Sequence, residues 1–139
     1  MSFEYTTDVE VRYTDIDTYG HVNNATYGTY LEEARIDYLH DVVSADEALL
    51  SGGESGTGIV IANLEVDFVR PVHISDAVTV AVRVPRLGEK SFPFEYEVRT
   101  GDGVAATGET TVLTYDRDAE TSRSIPEDWR DAITQFEGL

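Results

Sequence analysis

The sequence has no cysteine and no long hydrophobic run, and it contains only one lysine. Each of these features excludes or disfavours particular functions. Without cysteine there is no disulfide, thiol nucleophile or cysteine metal ligand, which favours a cytoplasmic location. No segment approaches the roughly 20 apolar residues of a membrane-spanning helix. The first residues also lack a basic stretch followed by an apolar one, so we expect no secretory signal and no membrane partner.

Basic charge is scarce as well. The chain carries 10 Lys and Arg residues against 27 Asp and Glu residues, a formal net charge of −17 at pH 7. Phosphate backbones need basic side chains for neutralisation, so this balance argues against nucleic acid as a partner. The acid excess predicts either an ordinary solvated surface or, as we favour, a halophilic-type protein in which salt screens the repulsion between carboxylates.

What the chain does contain is enough apolar surface for one core. Of its 139 residues, 41% are hydrophobic and 10% are aromatic, and a chain of this length buries roughly two thirds of its unfolded surface. It has no internal repeat, low-complexity tract or proline-rich linker. We therefore expect a single domain over residues 1–139.

Hydrophobic periodicity predicts the secondary structure. Period-two alternation favours a strand at Asp8–Tyr13, and helical spacing favours a long helix at Asn24–Val43 capped by Asn23 or Asn24. The connection Ser44–Gly58 is either a mobile lid or a plain linker. Strands then follow at Val60–Phe68, Val78–Val84, Phe92–Val98 and from the Gly101–Gly103 turn through Tyr115, and Pro126 opens a short helix. This order predicts an α+β fold with the long helix on one face of an antiparallel sheet.

The densest set of functional side chains lies at Arg12–Asn24, between the first strand and the long helix. Free amides at a helix N-terminus can stabilise a developing oxyanion, and a nearby carboxylate can act as nucleophile or general base. Asp15 and Asp17 are the carboxylates of this segment. Turns are also rich in Asp, Gly and Asn for structural reasons, so the residues alone leave both interpretations open.

The stretch R-Y-T-D-I-D-T-Y-G-H-V-N-N-A-T-Y-G-T-Y-L-E-E-A-R, Arg12–Arg35, is more specific than its parts. It closely resembles the opening motif of hotdog-fold acyl-CoA thioesterases of the 4-hydroxybenzoyl-CoA thioesterase type and of the related acyl-carrier-protein thioesterases. The likeness continues through Phe68–Val72, Asp76–Val78, Gly88–Ser91 and Gly108–Thr110. The resemblance implies a hotdog fold, a curled five-stranded antiparallel sheet wrapped around one long helix, here with a short C-terminal helix.

The resemblance also implies hydrolysis of an acyl-CoA thioester to a carboxylic acid and free CoA. Asp17 matches the family's catalytic carboxylate, which either attacks the carbonyl or activates a water. The backbone N–H of Asn24 matches the group that polarises the carbonyl, whereas the side chains of His21 and Asn23 are expected to shape the site. Asp15 is expected to be structural, bonding backbone amides of the turn.

Several substrate-binding residues are predicted. Tyr27 and Glu32 match helix positions of the family pattern. Arg86, Lys90 and Ser91 flank a turn near which the family often receives the nucleotide end of CoA, whose phosphates suit basic groups. A plain solvated turn is equally compatible with these three residues.

No metal or other cofactor is expected. A metal held by Asp15, Asp17 and His21 would need converging ligands that are themselves held by further hydrogen bonds, and the resemblance implies none. His40 and His73 are interpreted as ordinary surface or packing residues.

The resemblance implies a homodimer or homotetramer, because an isolated hotdog subunit leaves a sheet edge open and its site incomplete. A residue of a neighbouring subunit, Asn63 or Glu65, is expected to complete the pocket. Two alternatives stay open. One is an acyl-carrier-protein thioesterase, although an acidic carrier docks poorly on an acidic surface; the other is a non-catalytic acyl-CoA-binding module.

Overall fold

The computed structural model describes residues 2–45 and 56–139, in which a six-stranded antiparallel sheet lies beside one long helix. The strands are β1 (Tyr5–Val9), β2 (Thr57–Phe68), β3 (Val78–Arg83), β4 (Ser91–Thr100), β5 (Gly103–Asp116) and β6 (Thr121–Ser122). The helices are α1 (Thr26–Tyr38) and α2 (Glu127–Glu137); a 3₁₀ turn at Tyr13–Asp15 precedes α1, and a π turn at Leu39–Val43 continues it.

The main strands lie in the order β1-β3-β4-β5-β2, and the short β6 pairs only with β5. This confirms the predicted α+β architecture, a curled five-stranded sheet around one long helix with a short helix at the C-terminal end. None of the helices described is long and apolar enough to cross a membrane.

The core lies between α1 and the concave face of the sheet. α1 contributes Tyr27, Tyr30, Leu31, Ala34 and Tyr38, and the central strands contribute Val80, Val82, Phe94, Tyr96 and Val112, all buried. Gly108 on β5 allows the helix to approach closely, because a Cβ at this position would lie 2.8 Å from Cδ1 of Leu31. The alternation predicted for β3 and β4 is therefore confirmed.

The first strand lies earlier than predicted, at Tyr5–Val9 rather than Asp8–Tyr13. Only Val9 of the predicted apolar face is buried, and Tyr13 is 84% exposed. After Val9 the chain leaves the ladder with β3, because the backbone N–H of Arg12 donates to Oδ2 of Asp15 and closes a tight turn. Local alternation was misleading here since pairing with β3 sets the limits of the strand.

The long helix begins at Thr26, with Ala25 as its N-cap and no side-chain cap. Neither Asn23 nor Asn24 caps it, so that prediction is wrong. Instead, Oδ1 of Asn23 accepts the Ala25 N–H at 3.0 Å, one residue ahead of the helix. The C-terminal part of the predicted helix is present as the π turn.

Strand β2 has a bulge at Ala62 that the predicted alternation missed. Ile61 pairs with Val112 of β5, whereas Asn63 pairs with Thr111, so Ala62 is an extra residue. Odd-numbered residues therefore face α1 before the bulge and even-numbered residues face it afterwards. Val60 consequently points away from the helix and is 43% exposed.

The predicted connection Ser44–Gly58 is described only at its two ends. β2 begins at Thr57, so Gly58 belongs to the strand. Residues 46–55 lie outside the described part of the chain, and the alternatives of lid and linker both fall on them.

Candidate active site

The segment that connects β1 to α1 is a closed loop held by Asp15. Its carboxylate Oδ2 accepts the backbone N–H of Arg12 at 2.9 Å and the hydroxyl of Tyr30 at 2.8 Å. Its carbonyl accepts the N–H of Asn23, also at 2.8 Å, and Ile16 forms a bridge with Val22. These bonds give Asp15 the structural place that the sequence predicted and present the residues between as a projecting turn.

Asp17 lies inside that turn and is bonded on one side only. Oδ1 accepts the backbone N–H groups of Tyr19, at 2.8 Å, and His21, at 3.3 Å. Within residues 2–45 and 56–139, nothing donates a hydrogen bond to Oδ2. The carboxylate is thus oriented through one oxygen while the other is available to a substrate or a water.

The backbone N–H of Asn24 is similarly available. The amide before it donates to the Asp15 carbonyl, and the amide after it donates to Oδ1 of Asn23. The Asn24 N–H itself finds no acceptor among the residues that the structure describes. It lies just ahead of the N-terminus of α1, where the helix dipole favours negative charge.

Asp17 and Asn24 line one pocket of about 400 Å³. Its lining consists of one stretch from the turn and helix start and one from the end of β2: Asp17, Tyr19, His21, Val22, Asn24, Tyr27, Phe68, Val69, Arg70 and Pro71. A carboxylate oxygen and a backbone donor, both unused, therefore share a cavity with apolar and aromatic walls. This is an arrangement that suits attack on a carbonyl group.

Two aromatic rings form a wall of the pocket. The rings of Tyr27 and Phe68 meet edge to face, with centroids 5.0 Å apart. Burial raises the pKa of Tyr27, and a hydrogen bond from the Val72 backbone partly opposes this effect. Tyr27 therefore stays neutral at ordinary pH and forms part of the wall rather than a charged group.

Two histidines that are distant in sequence meet at this site. The rings of His21 and His73 contact edge to face, with centroids 5.1 Å apart. The backbone N–H of His73 donates to Oδ2 of Asp76, and its ring Nδ1 lies 3.6 Å from the same oxygen. His73 is exposed, as expected, but it lies beside the pocket, where sequence reasoning did not place it, because its contact with His21 is made only by the tertiary fold.

Arg70 and Tyr19 also line the pocket and were not predicted as site residues. Arg70 is the sole arginine or lysine among the lining residues, and its guanidinium donates to the carbonyl of Asp102 in the β4–β5 hairpin. Tyr19 is 82% exposed, although it is aromatic. Arg70 lies within a motif that carried the family resemblance, which was the signal available for it.

Two other predicted residues of the turn and helix lie outside the pocket lining. The side chain of Asn23 is occupied with the Ala25 amide, as described above. Glu32 is an exposed residue of α1 whose Oε2 lies 4.0 Å from Nη2 of Arg35.

The remaining predicted substrate-binding residues lie on the sheet. Glu65 lines a separate groove of about 240 Å³ on the face of the sheet away from α1, and Asn63 is an exposed residue next to the bulge. Arg86 and Ser91 together line a small cavity of about 180 Å³. Lys90 between them is exposed, and its carbonyl accepts hydrogen bonds from Thr114.

No group of three His, Asp or Glu side chains in the described ranges is placed to hold a metal ion. The pocket's carboxylate can serve chemically as a nucleophile or base, and its backbone amide can donate to a carbonyl oxygen.

Comparisons with known proteins show the family of the chain. A family model described as the thioesterase-like superfamily matches residues 11–133. The chain is 33% identical over 85 residues to the long-chain acyl-CoA thioesterase FadM of Escherichia coli K12, in an alignment covering 61% of this chain and 61% of that enzyme. The chain spans about three fifths or less of the length of the curated relatives that it matches.

Solved structures extend the likeness over almost the whole chain. A thioesterase from Thermus thermophilus, complexed with coenzyme A and Zn, superposes with a TM-score of 0.80 at 32% identity, over 96% of this chain and 94% of that one. A predicted thioesterase from Bacillus stearothermophilus gives a TM-score of 0.85 at 26% identity, over 95% of each chain. The predicted resemblance to hotdog thioesterases is confirmed at the level of the family. The chain belongs to the thioesterase-like superfamily.

Proposed function

We propose that the chain hydrolyses acyl-CoA thioesters in the pocket between the Asp17 turn and the end of β2. The observation that carries this proposal is the pairing of two unused groups in that pocket, Oδ2 of Asp17 and the N–H of Asn24. Family membership supports the thioester, and the coenzyme A in the similar Thermus structure supports CoA as the acyl carrier.

In this mechanism the thioester carbonyl oxygen accepts the N–H of Asn24. As the carbonyl carbon becomes tetrahedral, the negative charge on its oxygen is stabilised by that donor and by the dipole of α1. Oδ2 of Asp17 then follows one of two routes. It attacks the carbonyl carbon, expelling the CoA thiolate and leaving an acyl anhydride that water cleaves, or it takes a proton from a water that attacks directly.

The hydrogen bonds to Oδ1 position Asp17 for either route. The N–H groups of Tyr19 and His21 hold this oxygen, which leaves Oδ2 as the reactive atom. A carboxylate held in one orientation needs little reorganisation during the reaction. In this proposal His21 shapes the site through its backbone and its ring. The Asn23 side chain contributes indirectly, because it holds the Ala25 amide.

The walls of the pocket suit the two ends of the substrate. The rings of Tyr27 and Phe68 offer an apolar surface to the acyl group. Arg70 supplies positive charge for the CoA phosphates. In this proposal Arg86, Lys90 and Ser91 contact the nucleotide end farther from the reacting carbonyl. Glu32 lies outside the pocket lining and is not assigned a substrate contact.

Replacement of Asp17 by Asn tests the proposal. Asp17→Asn keeps the size and the acceptor oxygen of the side chain, but it removes the nucleophile or base. We expect kcat for acyl-CoA hydrolysis to fall by about a thousandfold or more, with an unchanged circular dichroism spectrum. Asp67→Asn, which removes one carboxylate from the opposite face of the sheet, should leave kcat unchanged; equal activities of the two variants would exclude Asp17 from the chemistry.

We infer further that the protein works at high salt. On the outer face of the sheet Glu65 lies directly opposite Glu109, and Glu109 lies opposite Glu95. Like charges in opposed positions on neighbouring strands are destabilising, and salt screens them. The assay is therefore best run both in molar KCl and in dilute buffer. A cytoplasmic location stays a prediction.

We infer that the working unit is at least a dimer formed through β2. This 12-residue strand lies at one edge of the sheet, and along it Ile61, Leu64 and Phe68 are exposed. A long, apolar and unpaired strand edge is a template for pairing with another chain. Asn63 and Glu65 lie on this same strand, so pairing through it brings both near a second subunit.

A further inference from the structure

Arg35 on α1 is buried without enough partners for its charge. Arg35 is only 7% exposed, and its Nε has no hydrogen-bond partner in the described part of the chain. Nη1 lies 3.3 Å from the hydroxyl of Tyr96, which shares a 2.7 Å hydrogen bond with Thr110. Neither hydroxyl carries an opposite charge. A buried guanidinium without a carboxylate is strongly unfavourable, so its surroundings in the working protein should contain one.

The carboxylate nearest to Arg35 points away from the core. Glu32 approaches Nη2 only to 4.0 Å, and its side chain is 61% exposed. Gly28, Glu32 and Arg35 follow the spacing i, i+4, i+7, which aligns them in one stripe along α1. These three residues are called the 28–32–35 stripe below.

The 28–32–35 stripe lies on the side of α1 next to β2. A Cβ on Gly28 would be 3.6 Å from Cδ2 of Leu64, in the middle of β2. Arg35 reaches Tyr96 near Thr110, and Thr110 is the residue that pairs with Leu64. The opposite flank of the helix is already occupied, because Asp37 accepts a 2.7 Å hydrogen bond from Thr7 of β1.

We propose that the 28–32–35 stripe faces a second copy of this chain and that the buried guanidinium of Arg35 is completed by the partner's Glu32. A chain that pairs antiparallel with β2 across a two-fold axis places its own helix on the same face of the joined sheet, running in the opposite direction. In such an interface each contact occurs twice, so Glu32 and Arg35 of one stripe meet Arg35 and Glu32 of the other.

Charge complementarity supports a second copy as the occupant. The stripe carries one carboxylate and one guanidinium, so it is complementary to itself when reversed. The exposed apolar residues Leu64 and Phe68 of β2 lie on the same side of the sheet as α1. Formation of this dimer would cover them as well. This inference rests on the dimer proposed above, and it adds the residue pair that specifies how the two chains register.

Dimer dissociation measured with Glu32→Gln and Glu33→Gln provides the first test. The two glutamates are neighbours, but Glu33 lies toward Arg12, 4.0 Å from its guanidinium, rather than on the stripe. By sedimentation or light scattering at graded concentrations, we expect Glu32→Gln to raise the dimer dissociation constant about tenfold or more. Glu33→Gln should change it less than twofold, and equal effects of the two variants would overturn the proposal.

Cross-linking gives a second test, which reports distance rather than affinity when it is run at a protein concentration at which both variants are dimeric. Since the chain has no cysteine, Glu32→Cys and Glu33→Cys each introduce a single thiol, at an exposed and a half-exposed position respectively. A short bismaleimide should convert most of the Glu32→Cys protein to a covalent dimer and leave Glu33→Cys monomeric on a denaturing gel. A dimeric Glu32→Cys protein that does not cross-link contradicts the proposed pairing but leaves the dimer through β2 intact.

A monomer at all concentrations for the wild type removes both the pairing and the dimer. Neither result bears on the assignment of Asp17, because that is decided by the activity of Asp17→Asn. The dimer through β2, the pairing of Glu32 with Arg35 and the catalytic role of Asp17 can therefore each be rejected independently.

Discussion

Two aspartates of the same turn, only two residues apart, have opposite environments. Asp15 uses one carboxylate oxygen to hold both a backbone amide and the hydroxyl of Tyr30, an α1 residue. Asp17 uses Oδ1 to hold two amides of its own turn and leaves Oδ2 without a donor among the described residues. Asp17 lines the 400 Å³ pocket, and Asp15 does not.

Because of this difference, one short segment can be both rigidly placed and chemically reactive. Asp15 connects the turn to α1 through Tyr30, so it fixes the turn relative to the helix. Asp17 bonds only within the turn, so it gains orientation without connecting to the core. A carboxylate that holds two structural elements together is expected to matter for stability, and one that is oriented but incompletely bonded is expected to matter for chemistry.

The largest contrast is expected between Asp15→Ala and Asp17→Ala. Asp15→Ala leaves the Arg12 amide and the buried Tyr30 hydroxyl without their acceptor, so we expect a loss of about 3 kcal/mol in unfolding free energy. That loss corresponds to a decrease of about 10 °C in Tm. Asp17→Ala should cost about 1 kcal/mol or less, because it removes bonds local to an exposed turn.

Activity should show the reverse order. Assayed well below its Tm, Asp15→Ala should keep kcat within about tenfold of the wild type, whereas Asp17→Ala should lose about a thousandfold. Thermal denaturation and acyl-CoA turnover, measured on the same preparations at one protein concentration, provide both quantities. If both variants were equally unstable and equally inactive, the division of the turn into two functions would be wrong.

The sequence predicted those parts of the fold that are set by local pattern. Alternation in β3 and β4 and helical spacing in α1 correspond to buried faces, and the hairpin at Gly101 and Asp102 follows from its glycines. The shift of β1 and the bulge at Ala62 were not predictable, because each is determined by pairing with a strand far away in sequence.

The same distinction holds at the candidate site. Asp17 and Asn24 lie in one continuous motif, so a single resemblance predicted both residues. Arg70 lines the pocket and His73 lies beside it against His21; both come from the segment after β2, and the tertiary fold brings them there. The buried charge of Arg35 could not be predicted either, since an arginine in an amphipathic helix is most often exposed.

A smaller effect on stability is expected from Tyr30→Phe, which removes the hydroxyl that donates a hydrogen bond to Asp15. Burial raises the pKa of Tyr30, and the hydrogen bond and charge of Asp15 raise it further. The folded-state pKa is therefore above the unfolded value of about 10. As the pH rises past that value, the unfolded chain releases this proton first, and stability falls by at most about 1.4 kcal/mol per pH unit for this one group.

Urea unfolding between pH 8 and pH 11 would measure this effect. At pH 8 the Tyr30→Phe variant should be less stable by about 1–2 kcal/mol because it has lost a hydrogen bond to a charged group. Above pH 10 its stability should fall less steeply than that of the wild type, so the two curves converge. Tyr5, Tyr38 and Tyr96 also have raised pKa values, but they are common to both proteins. Parallel curves would show that Tyr30 is not held neutral by Asp15.

The smallest effects are expected from the two asparagines ahead of α1, where the backbone rather than a side chain carries the proposed role. Asn23→Ala removes the acceptor of the Ala25 N–H and should cost about 0.5–1 kcal/mol. Asn24→Ala keeps the free backbone N–H, so kcat for acyl-CoA hydrolysis should stay within about threefold of the wild type, and stability within about 0.5 kcal/mol. A large loss of kcat in Asn24→Ala, with KM and Tm unchanged, would instead assign the carbonyl contact to the Asn24 side chain. Asp17 would then act beside a side-chain donor, and the free amide would be a structural detail of the helix start.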